Sequence, residues 1–340
     1  MLSDRKEKIL AAVVEQYIKS GEPVGSKSLL ESLPMKLSSA TVRNEMAELS
    51  SMGYLSQPHT SAGRIPSHSG YRYYIDNLMG TRELDEQSRK KIESAIGSNT
   101  DPDKLLSTAG EVLAELTNCA TLSTTPAGET TLIKRIEMVP VGTRTAMLVL
   151  LTSTGILKSR ICRSEFELTV PLLESFYNIT SSQLVGKPLC DVNIATMQTL
   201  AASVGADAFA MLPFLASIAD LAKDASQADI LLEGQTNLLN YRELEENAYE
   251  LMEFLRKGEP LGSLISSSKS DVNVLIGEEN KFRQLQNSSL ILAKYSVGGH
   301  ESGTIGVIGP TRLDYAKLIP SVRYLTDLVG RLLTKAIDEE

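Results

Sequence analysis

From Pro23 to Tyr74 the chain is cut by residues that dictate where each element must stop: Pro34, Gly53, Pro58, Gly63 and Pro66. Proline removes a backbone donor and glycine admits turn conformations, so these positions leave room only for short elements between them. Ahead of them, Ile9, Leu10, Val13, Val14, Tyr17 and Ile18 recur at helical spacing. Asp4 and Glu7 are expected to cap that helix, and Gly21 with Pro23 to end it. Ser26 to Ser32 predicts a short second helix packed through Leu29, Leu30 and Leu33, and Ser38 is a good N-cap for a third running to about Met52. Tyr54 to Gln57 and Arg64 to Pro66 then make a hairpin. Helix, turn, helix and hairpin is the order of a winged helix-turn-helix, a fold that binds duplex DNA.

The third helix carries the functional expectation. At about 100° per residue, Val42, Met46 and Leu49 stack on one face. Ala40, Asn44, Ala47 and Ser51 fall opposite, with Arg43 at the edge. A face of small residues with one Arg and one Asn suits a helix entering a groove about 12 Å wide. There Arg pairs with guanine, Asn with adenine, and an Ala methyl meets that of thymine. Ser39 and Thr41 are expected near phosphate. The turn between the strands holds donors and no acids, which places His59, Thr60, Ser61 and Arg64 for phosphate or minor-groove contacts. The competing reading is a solvated helix face. Such faces favour Glu and Lys, so Ala40 and Ala47 count against it.

Charge sets a limit on this reading. The net charge is −8. Residues 1–80 hold 9 Lys/Arg and 8 Asp/Glu, leaving 25 against 34 for the remainder. Lys36, Arg43, Arg64 and Arg72, with His59 and His68, oppose Glu45 and Glu48 in a modest basic face on an acidic protein. One copy is expected to bind DNA weakly, so pairing of copies should matter. No apolar run exceeds that of Ala146 to Leu151, far short of the ~18 residues of a membrane span. The charged N-terminus does not read as a signal peptide, and a cytoplasmic location is expected. Cys119, Cys162 and Cys190 are too widely spaced for a metal knuckle or a disulfide framework and are expected to be buried free thiols.

Beyond Asp76 a charged linking helix is expected over Glu83 to Ile96, then, after a Gly/Asn/Pro break, an amphipathic helix with Leu105, Leu106, Ala109, Val112, Leu113 and Leu116. Leu132 to Val139, Thr145 to Thr152 and Ile156 to Cys162 read as antiparallel strands, the middle one central and buried. Helices dominate from Phe166 to about Ser268, with Asp229 to Glu233 a possible intervening strand. Val272 to Ile276, Leu290 to Tyr295 and Gly303 to Ile308 return to strand, and a long helix closes the chain. Neither strand group makes a full sheet alone, which favours an α/β domain interrupted by a helical insertion over three domains in series.

No zinc spacing, Gly-x-Ser-x-Gly elbow or Walker loop occurs, so neither enzyme nor cofactor is expected. Arg312 and Asp314 after Gly309-Pro310 are expected to form a local salt link or helix cap rather than a ligand site. A metabolite sensor or enzyme with a DNA-binding head is the alternative function. It requires clustered titratable groups in the body, which the sequence lacks.

The stretches S-S-A-T-V-R-N-E-M-A-E-L from Ser38, G-Y-L from Gly53, H-T-S-A-G-R-I-P from His59 and G-Y-R-Y-Y from Gly70 resemble the HrcA family of bacterial heat-inducible transcription repressors. I-G-E-E-N from Ile276 and I-G-P-T-R-L-D-Y from Ile308 extend the likeness to the C-terminal part. The resemblance implies an α+β multidomain chain: a winged helix-turn-helix over 1–80, and a GAF-like domain over 81–164 and 269–340, interrupted by an inserted, mostly helical dimerisation domain over 165–268. It also implies a homodimeric repressor of chaperone genes that binds the inverted-repeat CIRCE operator, is kept active by the GroEL chaperonin and is inactivated by heat.

Overall fold

A computed structural model describes residues 2–35, 37–59, 62–80, 83–97, 101–126, 131–203, 205, 208–257, 259–266 and 271–338. The elements run α1 (Asp4–Ser20), α2 (Ser26–Leu29), α3 (Ser39–Ser51), β1 (Leu55–Ser56), β2 (Ile65–Pro66), α4 (His68–Tyr73), α5 (Glu86–Ile96), α6 (Pro102–Thr117) and β3 (Ala120–Thr124). Then follow β4 (Ile133–Pro140), β5 (Thr145–Thr152), β6 (Leu157–Arg163), α7 (Val170–Gln183), α8 (Ile194–Ser203) and α9 (Ala208–Ser226). The chain closes with β7 (Ile230–Glu233), α10 (Ala248–Lys257), α11 (Glu259–Ser266), β8 (Val272–Ile276), β9 (Ser288–Val297), β10 (His300–Pro310) and α12 (Tyr315–Asp338). The architecture is mixed α+β with a winged helix-turn-helix at its N-terminus.

Local chemistry accounts for the head. Gly21 ends α1 at φ +69° and its N–H reaches the Tyr17 carbonyl. The N-cap is Ser3, not Asp4: its hydroxyl accepts from the Lys6 amide at 3.4 Å, while Glu7 accepts from the Tyr73 hydroxyl instead. A hydroxyl one residue earlier reaches the free amide, which releases Glu7 for a contact across the fold. The expected helix over Ser26 to Ser32 is shorter than its apolar spacing predicts, stopping at Leu29 before turns that lead to Pro34.

The body contains a five-stranded sheet of order β7-β3-β10-β9-β8, antiparallel at every pairing. One face shares a core with α6, α12 and the head; Leu122, Leu290, Leu292 and Ile308 on the other pack with Leu251, Leu255, Leu261 and Leu264 of α10 and α11. The linking helix α5 packs on α6 and touches α12 through Tyr324, whose ring centre lies 5.1 Å from the Arg89 guanidinium and whose hydroxyl donates to Glu93.

Strand pairing departs from the expected grouping at one place. The chain leaves the five-stranded sheet at the end of β3 and returns in the neighbouring strand β7. Between them, β4, β5 and β6 form a separate three-stranded sheet whose core is shared with α7, α8 and α9. These strands therefore belong with the helices that follow, not with the first half of the large sheet, while β7, α10 and α11 join the large sheet rather than the helical segment. The strand that displaces them, β3, is Ala-Thr-Leu-Ser-Thr, wholly buried but too polar to stand out. β5 is central as expected, but only every second residue is buried, because the helices cover one face. Cys119 and Cys162 are buried, whereas Cys190 is exposed on the short turn Leu189–Asp191. Among the described residues no helix is long and apolar enough to cross a membrane.

Phe214 is fully buried in the core of the smaller sheet and its helices. Phe214→Ala should cost about 3–5 kcal/mol, measured as a lowered midpoint in thermal unfolding.

Candidate nucleic-acid interface

The third helix is anchored at its start and along one side. The Ser38 hydroxyl accepts from the Thr41 amide at 3.1 Å and lies 2.8 Å from the Thr41 hydroxyl. Ser39 and Ser26 meet hydroxyl to hydroxyl at 3.1 Å, tying α3 to α2. Val42, Met46 and Leu49 are buried. Ala40, Arg43, Asn44 and Ala47 are exposed together, with Ser39 and Thr41 half-buried at the start of the helix. The small-residue face is therefore open in the folded chain.

Acids on the same helix are drawn away from this face. Glu45 bonds Arg5 at 3.2 Å and Lys6 at 2.8 Å, and Lys6 also meets Glu48 at 2.8 Å. The hydrogen bond from Lys6 holds the Glu45 carboxyl below its ordinary value of 4.5. It stays ionised and paired at neutral pH. Arg43 has no acidic partner among the described residues, so its guanidinium is free for a ligand. Sequence reading missed Arg5 and Lys6, whose role depends on α1 crossing α3.

The wing follows directly. Tyr54 donates to the Leu49 carbonyl at 2.9 Å as the chain leaves α3, and β1 pairs with β2. Arg64 exchanges two backbone bonds of 2.9 Å with Val24, which adds a bridge on the side of α2. The glycine before it is required: a Cβ on Gly63 would lie 2.3 Å from the Val24 carbonyl oxygen. Gln57 closes the turn onto the Ala62 carbonyl at 3.0 Å. His59 is exposed and Arg64 half-buried at the two ends of this turn; Thr60 and Ser61, like Lys36, lie outside the described residues.

Two residues counted in the basic face point elsewhere. Arg72 bonds Glu279 at 2.8 Å and Asp76 at 3.3 Å, and His68 fills the space beside Gly277. Their charge sign agreed with a DNA contact, but their helix packs on the body. Arg312 forms its salt link with Glu243, 69 positions away rather than locally, while Asp314 accepts from the Lys317 amide at 3.3 Å at the start of α12.

Residues 1–77 match the family model described as "Winged helix-turn-helix transcription repressor, HrcA DNA-binding", and residues 103–319 match that of the HrcA protein C-terminal domain. The chain belongs to the HrcA family. The heat-inducible transcription repressor HrcA of Ruminiclostridium cellulolyticum is 35% identical over 345 residues, covering 99% of both chains. That of Clostridium botulinum strain Eklund 17B is 36% identical over 337 residues, covering 98% of both. A crystal structure described only as that of a hypothetical protein superposes with a TM-score of 0.68 at 27% identity, over 99% of this chain and all of the other. The HrcA head and body thus occur together along the full length of these relatives.

Ser38→Ala should destabilise the head by about 1 kcal/mol through loss of the α3 cap; thermal unfolding of the purified chain measures it.

Proposed function

We propose that this HrcA-family chain, a heat-inducible transcription repressor, acts as a homodimer whose two α3 helices read the halves of an inverted-repeat operator. The observation that carries the reading is the exposed face of Ala40, Arg43, Asn44 and Ala47 on a helix whose acids are held by α1. Arg43 and Asn44 take the base edges, Ala40 and Ala47 allow close approach, and Ser39 and Thr41 bond phosphate. His59, Thr60, Ser61 and Arg64 of the wing add backbone or minor-groove contacts. A two-fold dimer matches a palindromic site, and the family resemblance implies CIRCE as that site.

The smaller sheet supports the pairing. Ile161, Leu157 and Val139 are 70%, 60% and 42% exposed. Ile161 and Val139 both lie opposite Met147, and Leu157 opposite Leu151, so they share one sheet face, with the Arg135–Glu137 ion pair and Ser159 among them. An open face of this kind marks a protein contact. Residues from about 131 to 226 are thus the inserted dimerisation domain, and the five-stranded sheet with its helices is the GAF-like domain that it interrupts. Heat acts by unfolding or separating a marginally stable dimer, and GroEL, as in the family resemblance, restores the active fold in the cytoplasm.

Arg43→Ala should weaken operator binding by about 1–3 kcal/mol and relax preference at one base pair, whereas Arg64→Ala should weaken all sequences alike and reduce the salt slope by about one. Fluorescence anisotropy across a salt series measures both. Unchanged affinity for Arg43→Ala would overturn the assignment of α3. Ile161→Asp should convert the dimer to monomer in analytical ultracentrifugation, and an unchanged mass would remove the sheet face as the contact.

A further inference from the structure

The sequence Gly70-Tyr71-Arg72-Tyr73-Tyr74 closes the short helix α4 and runs one residue past it, and its side chains divide between two partners. Tyr73 faces the head, its ring 5.2 Å from that of Tyr54 and its hydroxyl donating to Glu7 at 2.7 Å. Tyr71 and Arg72 face the body. The Tyr71 ring, buried, lies 5.9 Å from that of Tyr315 at the start of α12. Arg72 grips Glu279 with Nε at 2.8 Å from Oε1 and donates through Nη2 to the other carboxylate oxygen and to the Val274 carbonyl. Two planar groups in a forked pair fix an angle as well as a distance.

Glu279 is held by its own turn as well as by Arg72. Its carboxylate accepts from the Ile276 amide at 2.9 Å, within the same Ile276-Gly277-Glu278-Glu279 turn. Burial disfavours its charge, but the Arg72 guanidinium and that amide outweigh burial and hold the carboxyl below its ordinary value. Gly277, at φ +53°, completes the socket: a Cβ there would sit 2.3 Å from Cε1 of His68. The imidazole of the head thus occupies room that only glycine leaves. At the end of α1, Arg312 pairs with Glu243 and lies against Gly21. Neither contact touches Ala40, Arg43, Asn44 or Ala47, which stay exposed with the head seated. Seating leaves the reading face open and fixes where it points.

We infer that Arg72, Glu279 and Gly277 form a positioning joint that sets the angle of each head on its body, and thereby the half-site spacing that a dimer accepts. The inference rests on the homodimer and inverted-repeat reading above. Two heads held at a fixed separation bind a second half-site intramolecularly, with an effective concentration that falls when the connection loosens. Half-sites one helical turn apart lie about 34–36 Å from each other on the same side of DNA, so a modest change in head angle mismatches both spacing and rotation.

The test uses the full-length chain with three duplexes: the CIRCE inverted repeat, the same repeat with one half scrambled, and a series with the spacer lengthened in single base-pair steps. Arg72→Ala, Glu279→Gln and, as a variant that changes no charge, Gly277→Ala are compared with wild type by fluorescence anisotropy, after circular dichroism has verified folding. The expected result is unchanged affinity for the single half-site, a loss on the order of ten- to a hundredfold on the intact repeat, and a flatter dependence on spacer length. Arg72→Lys, which keeps the charge but not the fork, should recover part of the loss. Equal losses on single and intact sites would overturn the role, since Arg72 would then serve head folding or touch DNA. So would an unchanged spacer profile, or tighter binding on release, which would make the joint a restraint on the head. A wild-type chain that binds single and intact repeats equally would instead remove the inverted-repeat reading, and the positioning role with it.

Discussion

The head and the body meet in one continuous core, and most of what the molecule can do depends on that continuity. Ile9, Leu10 and Val13 of α1 and Tyr71 of α4 belong to the same buried cluster as Leu313, Tyr315, Val322 and Leu325 from the far end of the chain. A DNA-binding head on a loose tether would keep its affinity whatever happened to the rest. A head that shares apolar surface with the body loses part of its own support when the body opens. Thermal control of DNA binding thus needs no separate sensor: it is enough that the shared core is marginal. The seam also contains groups that weaken it. Tyr71 Oη and Glu243 Oε2 are buried without a hydrogen-bond partner among the described residues, and such groups oppose burial by about 1–3 kcal/mol each.

How much was legible in the sequence follows from the range of the interactions. The head was readable because its punctuation is local: Ser38 caps α3 three residues ahead of its donor, and Gly21 ends α1 by its own φ. The open face of α3 followed from helical geometry alone. β3 was not readable. Its Thr121 hydroxyl donates to the Gly110 carbonyl and its Thr124 hydroxyl accepts from the Thr304 amide, both at 2.9 Å, so a polar strand is satisfied inside the core by distant partners. Hydropathy cannot reveal such a strand, and the more apolar β4, β5 and β6 took its place in the expected sheet.

Arg72 illustrates the same limit for charge. Its sign matched the basic face, but its direction is decided by Glu279, which lies 207 positions later. The motifs G-Y-R-Y-Y and I-G-E-E-N carried the family resemblance without disclosing that they touch each other. Arg312 and Glu243 repeat the pattern beside Gly21 at the end of α1. Residues that read as isolated signatures along the chain are, in three dimensions, the two sides of one joint.

The central claim is that two copies of α3 read an inverted repeat and that heat ends the reading by undoing the fold behind it. A hydroxyl-radical footprint of the full-length chain on promoter DNA carrying CIRCE, before and after mild heating and with or without GroEL, tests this most directly. The account predicts two protected patches related by a dyad, lost on heating and restored by the chaperonin. A single patch, or two patches indifferent to heat, would contradict it.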